Sequence, residues 1–494
     1  MKLHSVFRRL AALAVTAALA AGLTVSAAAA GFTDVPQSHW AAQSIARCAE
    51  LGVLRGESAA SFGQGKPMTR AAFVTALCRL LSWDAGASTD TPYEDVSPDA
   101  WYAGAVSAAV RGGALTAQAD CFRPDEAITR EELAVMLVRA LGYTTISGLT
   151  ADHPFTDVDT NAGYITMAYD LGLMTGTSAA AFSPDAPATR EQAAVILMRL
   201  ADKLRADAPN LTALVTQWPR QGADLQGFSA VAVAAARLTA SGQKAVLSKT
   251  MSEKDIAAAK DAAGNVPVLL HVTAGETVLS KTDPTAAASL LASAVEIGGW
   301  DGIFLEVEDG AATSNLTALA AAVDAAMGDR PFTLSVEGPS LSGGGTGLDY
   351  GALSAAADEL VARVACPVVP ASGFTAAPAE PLEELYLCLR TLRDIPNLTV
   401  TLSARPTAWR GTAALSAPEG SDIESYLAQG AQRYYSKRYG CPYLRLNDGP
   451  TIWYHDSESA AARLQLLGLF GRGSICLTGA QTATADLLAG LELR

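Results

Sequence analysis

Phe32-Thr33-Asp34-Val35, Tyr93-Glu94-Asp95-Val96 and Phe155-Thr156-Asp157-Val158 are three versions of one phrase, and each opens a segment built on the same plan. A tryptophan stands eight residues after the opening aromatic in two of them, Trp40 and Trp101. Each segment then runs through an amphipathic helix to a glycine turn, a phenylalanine (Phe62, Phe122, Phe182) and a Thr-Arg pair. The pairs Thr69-Arg70, Thr129-Arg130 and Thr189-Arg190 recur every sixty residues. Self-similarity at a fixed period marks repeated copies of one supersecondary unit.

The pair itself has a physical reading. Each threonine precedes an apolar periodic stretch (Phe73, Leu77, Leu80 in the first repeat; Leu133, Leu137, Leu141 in the second), which makes it a helix N-cap. Glu132 and Gln192, three residues on, complete a capping box, and Ala72 in the first repeat does not. The arginine is the anomaly, because the positive end of a helix dipole disfavours a cation in the first turn. Two readings account for its being kept three times. In one, the guanidinium and the helix amides receive an anion such as a carboxylate. In the other, each arginine pairs with Asp34, Asp95 or Asp157 and ties together the two helices of its own repeat.

Phe-x-Asp-Val, the tryptophan, the turn ending in phenylalanine and Thr-Arg-Glu resemble the S-layer homology repeat over residues 31 to 204, with repeats at 31–86, 91–145 and 152–204. The resemblance implies an all-α module of three repeats around a pseudo-threefold axis. It also implies a partner, secondary cell-wall polysaccharide, gripped through a pyruvylated sugar whose acid meets Arg70, Arg130 and Arg190. Trp40 and Trp101 would pack on sugar or on neighbouring helices, and Asp34, Asp95 and Asp157 belong to the same binding set. The third repeat departs from the pattern with Gly163-Tyr164 where the aromatic is due. The second has Ala114 to Asp120 in place of a regular glycine turn, so one groove is expected to be weak.

Residues 1–30 read as a signal peptide: Lys2, Arg8 and Arg9, an apolar run from Leu10, and Ala28-Ala29-Ala30 before a cleavage site at Gly31. No second apolar run of spanning length follows, so an exported protein without a membrane span is expected. The chain carries a net charge of -14, and loss of those three basic residues takes it to -17, which argues against a nucleic-acid partner. Seven scattered cysteines with no CxxC read as buried apolar residues, with a Cys48 to Cys78 bridge as an alternative. His39, His153, His271 and His455 show no ligand spacing, so neither a metal nor a cofactor is expected.

Past a polar linker (205–210) the texture changes. Short apolar runs such as 266–272, 302–307, 332–336, 398–402 and 474–477 alternate with Ala- and Leu-rich helical stretches. Strands alternating with helices indicate a parallel sheet with helices outside it, and residues 211–494 are somewhat longer than a typical eight-fold barrel. The expected class is therefore multidomain, an all-α three-repeat module followed by an α/β (β/α)8 TIM-type barrel. A doubly wound open sheet is the competing fold. Gly343 to Gly347 lacks a phosphate-binding context and reads as a loop.

One run concentrates acids: Trp300-Asp301-Gly302-Ile303-Phe304-Leu305-Glu306-Val307-Glu308-Asp309. On a strand, Phe304, Glu306 and Glu308 share a face. Two close carboxyls in a dry site raise one pKa and make a proton donor; acids at a solvated strand end do nothing of the kind. The run resembles the Asp-Gly-x-Asp-x-Asp-x-Glu strand of glycoside hydrolase family 18, the chitinase-like barrels, with Asp301, Gly302 and Glu308 in register. The stretch from Thr451 to Leu464 and Gly471 to Ile475 look like that family's last helix and strand. The resemblance implies Glu308 as general acid, Glu306 as the group orienting the substrate's N-acetyl arm, and Asp301 as part of the set.

Departures accompany the match. Glu306 is one methylene too long, Phe304 replaces an acid, the Tyr-Asp pair is absent from Cys366 to Phe374, and Cys476 or Leu477 takes the closing tryptophan's place. Trp300, Trp409 and Trp453 are candidate sugar-stacking surfaces, or packing residues. The expected function is a wall-anchored surface protein displaying a degenerate barrel that binds or hydrolyses N-acetylglucosamine-containing glycan. The alternatives are an active wall-remodelling glycosidase and a structural surface-layer subunit.

Overall fold

The computed structural model describes residues 31–117, 120–149, 151–205, 208–219, 222–308, 313–345, 347–365, 377–446 and 449–491. The signal-peptide reading, Asp309 and the segment from Cys366 to Phe374 lie outside the described residues. The chain forms two compact units, Met1–Arg205 and Ala206–Arg494. Among the described residues no helix is long and apolar enough to cross a membrane.

In the first unit each repeat is a pair of helices: Ala42–Glu50 with Arg70–Leu80, Ala103–Arg111 with Arg130–Ala140, and Ala162–Asp170 with Arg190–Leu204. The threonine caps form as the sequence indicates. Thr69, Thr129 and Thr189 accept from the third residue of their helices, and the last two have complete capping boxes. The opening aromatic of each repeat packs on its later phenylalanine, with ring centroids 5.6, 5.7 and 5.4 Å apart for Phe32–Phe62, Tyr93–Phe122 and Phe155–Phe182.

A closed ring of backbone hydrogen bonds joins the repeats. Met68 N donates to Ala188 O, Ala188 N to Ile128 O, and Ile128 N to Met68 O, at 2.8 to 2.9 Å. All three residues are buried. Each repeat thus meets the next through equivalent atoms, which is the pseudo-threefold arrangement.

One detail corrects the repeat alignment. The first helix begins eight residues after Asp34 and after Asp95, but five after Asp157. Gly163 is therefore the counterpart of Gly104, and Thr160 stands where the tryptophan is due. Both glycines are required by close approach: a Cβ would lie 2.1 Å from Ala85 O at Gly104 and 1.8 Å from Ser147 O at Gly163. Gly113 adopts a positive φ as Gly52 and Gly172 do, and four residues after it the second repeat has Ala117 where the others have Gly56 and Gly176. Cys48 and Cys78 are free thiols, which removes the disulfide alternative, and Cys121 is exposed rather than buried.

Among the described residues the second unit has fourteen strands: β1 (Asn210–Val215), β2 (Ala230–Ser241), β3 (Lys244–Lys249), β4 (Val268–Ala274), β5 (Gly302–Val307), β6 (Phe332–Glu337), β7 (Glu359–Arg363), β8 (Leu398–Ser403), β9 (Thr407–Arg410), β10 (Ala413–Leu415), β11 (Arg433–Ser436), β12 (Cys441–Arg445), β13 (Thr451–Trp453) and β14 (Ser474–Thr478). Eight run parallel in the order β1-β14-β8-β7-β6-β5-β4-β2, and β1 pairs with β2 as well as β14. That second pairing closes the barrel and excludes the open sheet. β3 adds antiparallel to β2.

Side chains from six strands, Leu214, Ala232, Leu269, Phe304, Val361 and Cys476, form one apolar cluster inside. Such layers make the interior of an eight-strand barrel a packed core. Between β8 and β14 a separate antiparallel sheet is inserted, in the order β10-β9-β13-β12-β11. One of its faces packs Ala408, Leu444 and Ile452 against Ile423 of helix Gly420–Ala428. The other gathers Trp409, Tyr439, Cys441 and Trp453.

Candidate functional site

The three arginines do not pair with the aspartates of their own repeats. Each reaches the turn of the next repeat: Arg70 Nε donates to Phe122 O, Arg130 Nε to Phe182 O and Arg190 Nε to Phe62 O, at 2.7 to 2.9 Å. Each guanidinium also lies over the ring of that phenylalanine, 4.6 to 5.1 Å from its centroid. Arg130 and Arg190 add a second carbonyl, Thr175 O and Arg55 O, while Arg70 pairs with Glu132. Only 7 to 9 % of each residue is exposed.

The helix amides beside them are taken too. The backbone N–H groups of Arg70, Arg130 and Arg190 donate to Glu126 O, Ala186 O and Lys66 O of the neighbouring repeats. The cation in the first turn is therefore an inter-repeat staple. The pairing within a repeat is thereby corrected, because the contacts run between repeats. Asp34, Asp95 and Asp157 instead cap the turns of their own repeats, accepting from Phe62 and Gly63 N, Phe122 and Arg123 N, and Phe182 and Ser183 N. Burial opposes the charge on Asp34, but these amides and Ser61 outweigh it and hold its carboxyl well below the ordinary range.

Trp40 and Trp101 remain, and they are 63 % and 68 % exposed, so they do not pack on neighbouring helices. The corresponding place in the third repeat is occupied differently. Glu131, next to Arg130, accepts from Thr160 Oγ1 at 2.7 Å and from Asn161 Nδ2. This contact clasps the seam between repeats two and three. Ala71, in the same place beside Arg70, has no acid to form one.

At the barrel, β5 delivers Glu306 and Glu308 to the carboxyl-terminal end, the face where barrels of this kind carry their sites. The two carboxyls are not a pair. Glu306 lies inside, bonded to His271 Nε2 of β4 at 2.9 Å. Burial opposes its charge, but the His271 bond and the nearby Arg363 guanidinium outweigh that and set its pKa below the ordinary value. Glu308 sits at the rim and is ion-paired with Arg237 of β2. The Glu308 carboxyl thus faces a guanidinium and not a second acid, and a guanidinium draws on acceptor oxygens.

Arg237 reaches this position through an irregularity. Between Ala234 and Ala236 the β2–β4 register shifts by one residue, a β-bulge that turns Arg237 to the inner face opposite Thr273. Arg363 of β7 donates to Ser335 Oγ at 3.1 Å and to Val307 O at 2.6 Å. The mouth thus holds Arg237, Glu308, His271, Glu306, Arg363 and Ser335, of which only the two glutamates were candidates from sequence.

Asp301 is a correction. Its carboxylate accepts from Val268 N at 2.7 Å, at the start of β5, roughly 20 Å along the strand from Glu308. It fastens the barrel's amino-terminal end and takes no part in the mouth. Phe304 fills the inner layer, and Cys476 stands there in the closing strand. Trp300, Trp409 and Trp453 are all buried, Trp409 with its Nε1 bonded to Ala377 O, so they are packing residues and not stacking surfaces. The Tyr-Asp segment lies outside the described residues.

The S-layer homology domain matches residues 31–74, 92–134 and 154–194. An S-layer protein of Bacillus thuringiensis subsp. finitimus is 30 % identical over 198 residues, which cover 39 % of this chain and 24 % of that protein. An endoglucanase of Bacillus sp. (strain KSM-635) is 32 % identical over 176 residues, 34 % of this chain and 18 % of that enzyme. The matched part thus spans a quarter or less of these relatives. Among solved structures, a chitinase from Chromobacterium violaceum aligns with a TM-score of 0.51 at 18 % identity, over 58 % of this chain and 98 % of that one, a likeness of fold alone. With three S-layer homology domains in tandem and a (β/α)8 barrel of chitinase-like fold behind them, the chain is a cell-surface protein of a bacterium.

Proposed function

We propose that the repeats hold the protein non-covalently on secondary cell-wall polysaccharide, and that the barrel displays a groove that binds N-acetylated glycan without cleaving it. The observation that carries the second half is the Arg237–Glu308 ion pair. It occupies the carboxyl that the resemblance assigns as general acid, while Phe304 and the Glu306–His271 bond replace that acid's usual support. A fold alone does not carry its family's chemistry.

For the repeats, Trp40 and Trp101 are the exposed aromatic surfaces at which a sugar ring can stack. The seam between repeats two and three, clasped by Glu131 and lacking the tryptophan, is the silent groove. The buried arginines shape the grooves and hold them rigid. The acid of a pyruvylated sugar is then met by other groups of the groove.

The test is reducing-end release by the full chain from peptidoglycan and N-acetylglucosamine oligomers, beside a Glu308→Gln control, with binding of the same oligomers measured in parallel. Binding without release supports the reading. The second reading is an active glycosidase with Glu308 as acid, favoured by that residue's half-exposed place at the end of β5. Release that disappears in the control would establish it.

A further inference from the structure

Glu308 stands on one side of the barrel mouth, and the side facing it carries groups to which nothing above gives a role. In the ring β1-β14-β8-β7-β6-β5-β4-β2, closed by β1 and β2, β14 is four places from β5 in either direction, so the two strands lie opposite one another. Over the carboxyl-terminal end of β14 lies the side chain of Arg405, which follows β8 by two residues.

Arg405 is exposed, yet it is held at three points. Its backbone N–H donates to Ser403 Oγ at 3.1 Å. Its stem crosses Gly479, the residue after β14, where an added Cβ would lie 3.1 Å from its Cγ and 3.2 Å from its Nε. Its Nη2 donates at 2.8 Å to Oγ1 of Thr216, the residue after β1. The side chain thus spans the ends of three adjacent strands, and only a glycine at 479 leaves it room to cross.

Thr216 is fixed in turn by Gln481, of the single turn Ala480–Thr482. Gln481 Oε1 accepts from Thr216 N at 3.3 Å, and its Nε2 donates to Thr216 Oγ1 at 3.1 Å. That hydroxyl oxygen therefore accepts from both Arg405 and Gln481, which uses its lone pairs and leaves its own O–H to give. Among the described residues nothing accepts this O–H, and the Arg405 guanidinium pairs with no carboxylate, its one hydrogen bond going to a neutral oxygen. Arg237, across the mouth, differs in having Glu308.

What this corner lacks is an acceptor of negative charge. A planar guanidinium with free N–H groups beside a free hydroxyl matches the two oxygens of a carboxylate, and such charge-assisted bonds are about twice as strong as neutral ones. We propose that Arg405 and Thr216 form a carboxylate subsite, so that the glycan laid across the mouth is an acidic one. The inference rests on the glycan-binding reading above for its place and adds the charge of the ligand. The acid can stand on a lactyl ether, as in N-acetylmuramic acid, or on the sugar ring, as in a uronic acid; both present the same pair of oxygens.

Calorimetric binding to the full chain tests this with tetrasaccharides of N-acetylglucosamine alternating with N-acetylmuramic acid or with glucuronic acid, each as free acid and as methyl ester, beside the N-acetylglucosamine tetramer. The expected result is an acid bound about tenfold or more tighter than its ester. That difference disappears in Arg405→Ala, the neutral tetramer binds both proteins alike, and the acid that shows the preference names the source. Equal affinity for acid and ester overturns the subsite and leaves glycan binding standing. A preference that survives in Arg405→Ala places the acid elsewhere, the repeats included, and overturns the assignment. Binding of no oligomer at all sinks the glycan-binding reading, and the subsite with it. The comparison of acid with ester uses the unaltered protein, so it decides whether or not the variant folds.

Discussion

The two units place charge in opposite ways. In the helical repeats three guanidinium groups are buried and spend their donors on carbonyls of the next repeat, so charge holds the architecture together. In the barrel the load falls on an apolar inner layer, while Arg237, Glu308, Glu306 and Arg363 gather at the mouth above it. A small helical pair has little core of its own, and a ring of inter-repeat bonds supplies the order its burial cannot. An eight-strand barrel is held by its core and leaves its polar groups free to vary.

The sharpest way to break this comparison is to put the family's acid back at position 304. Phe304→Asp would bury a carboxyl in the apolar layer and lower barrel stability by about 4 kcal/mol, read as a shift in urea unfolding followed by barrel signals. A variant of undiminished stability would mean that the interior already accepts charge. Next in size, Arg130→Ala strands Phe182 and Thr175 carbonyls and should cost the repeats about 3 kcal/mol. If wall co-sedimentation vanished while the repeats kept their melting temperature, the arginine would be a ligand group after all.

A smaller effect separates the rim from the core. Glu306 has a folded pKa below the ordinary 4.5, so its contribution is present above that value and lost as pH falls below it. Acidification from pH 5 to pH 3 should lower the barrel's melting temperature, and less so in Glu306→Gln; equal losses would remove the His271 bond from the account. Smallest of all for stability are Trp40→Ala and Trp101→Ala, expected to change folding free energy by under about 0.5 kcal/mol because the side chains are exposed. The same changes should weaken wall binding, and unaltered binding would shift attention to the clasped seam.

Much of this organisation is legible along the chain. The threonine caps could be read because a cap and its partner lie three residues apart. The destination of the arginines could not, since their carbonyl partners lie 52 or 128 residues away. The third repeat was misaligned because a three-residue shortening before its first helix leaves the spacing of Thr-Arg pairs unchanged. In the barrel, alternation placed Glu306 and Glu308 on one face. It also hid Arg237, which plain period-two counting from Ala232 and Ala234 directs outward until the bulge reverses it.

By itself the sequence determined the three repeats, the helix caps, the alternation of strands and helices and the acids of β5, because local periodicity and turn chemistry act over a few residues. Only the tertiary structure decided which repeat each arginine serves, that Asp301 and Glu308 stand at opposite ends of one strand with different work, and that Glu308 meets a guanidinium. Those outcomes depend on ring closure of the repeats and on barrel closure through β1 and β2. Closure is a property of the whole chain, and it sets which distant side chains share a space.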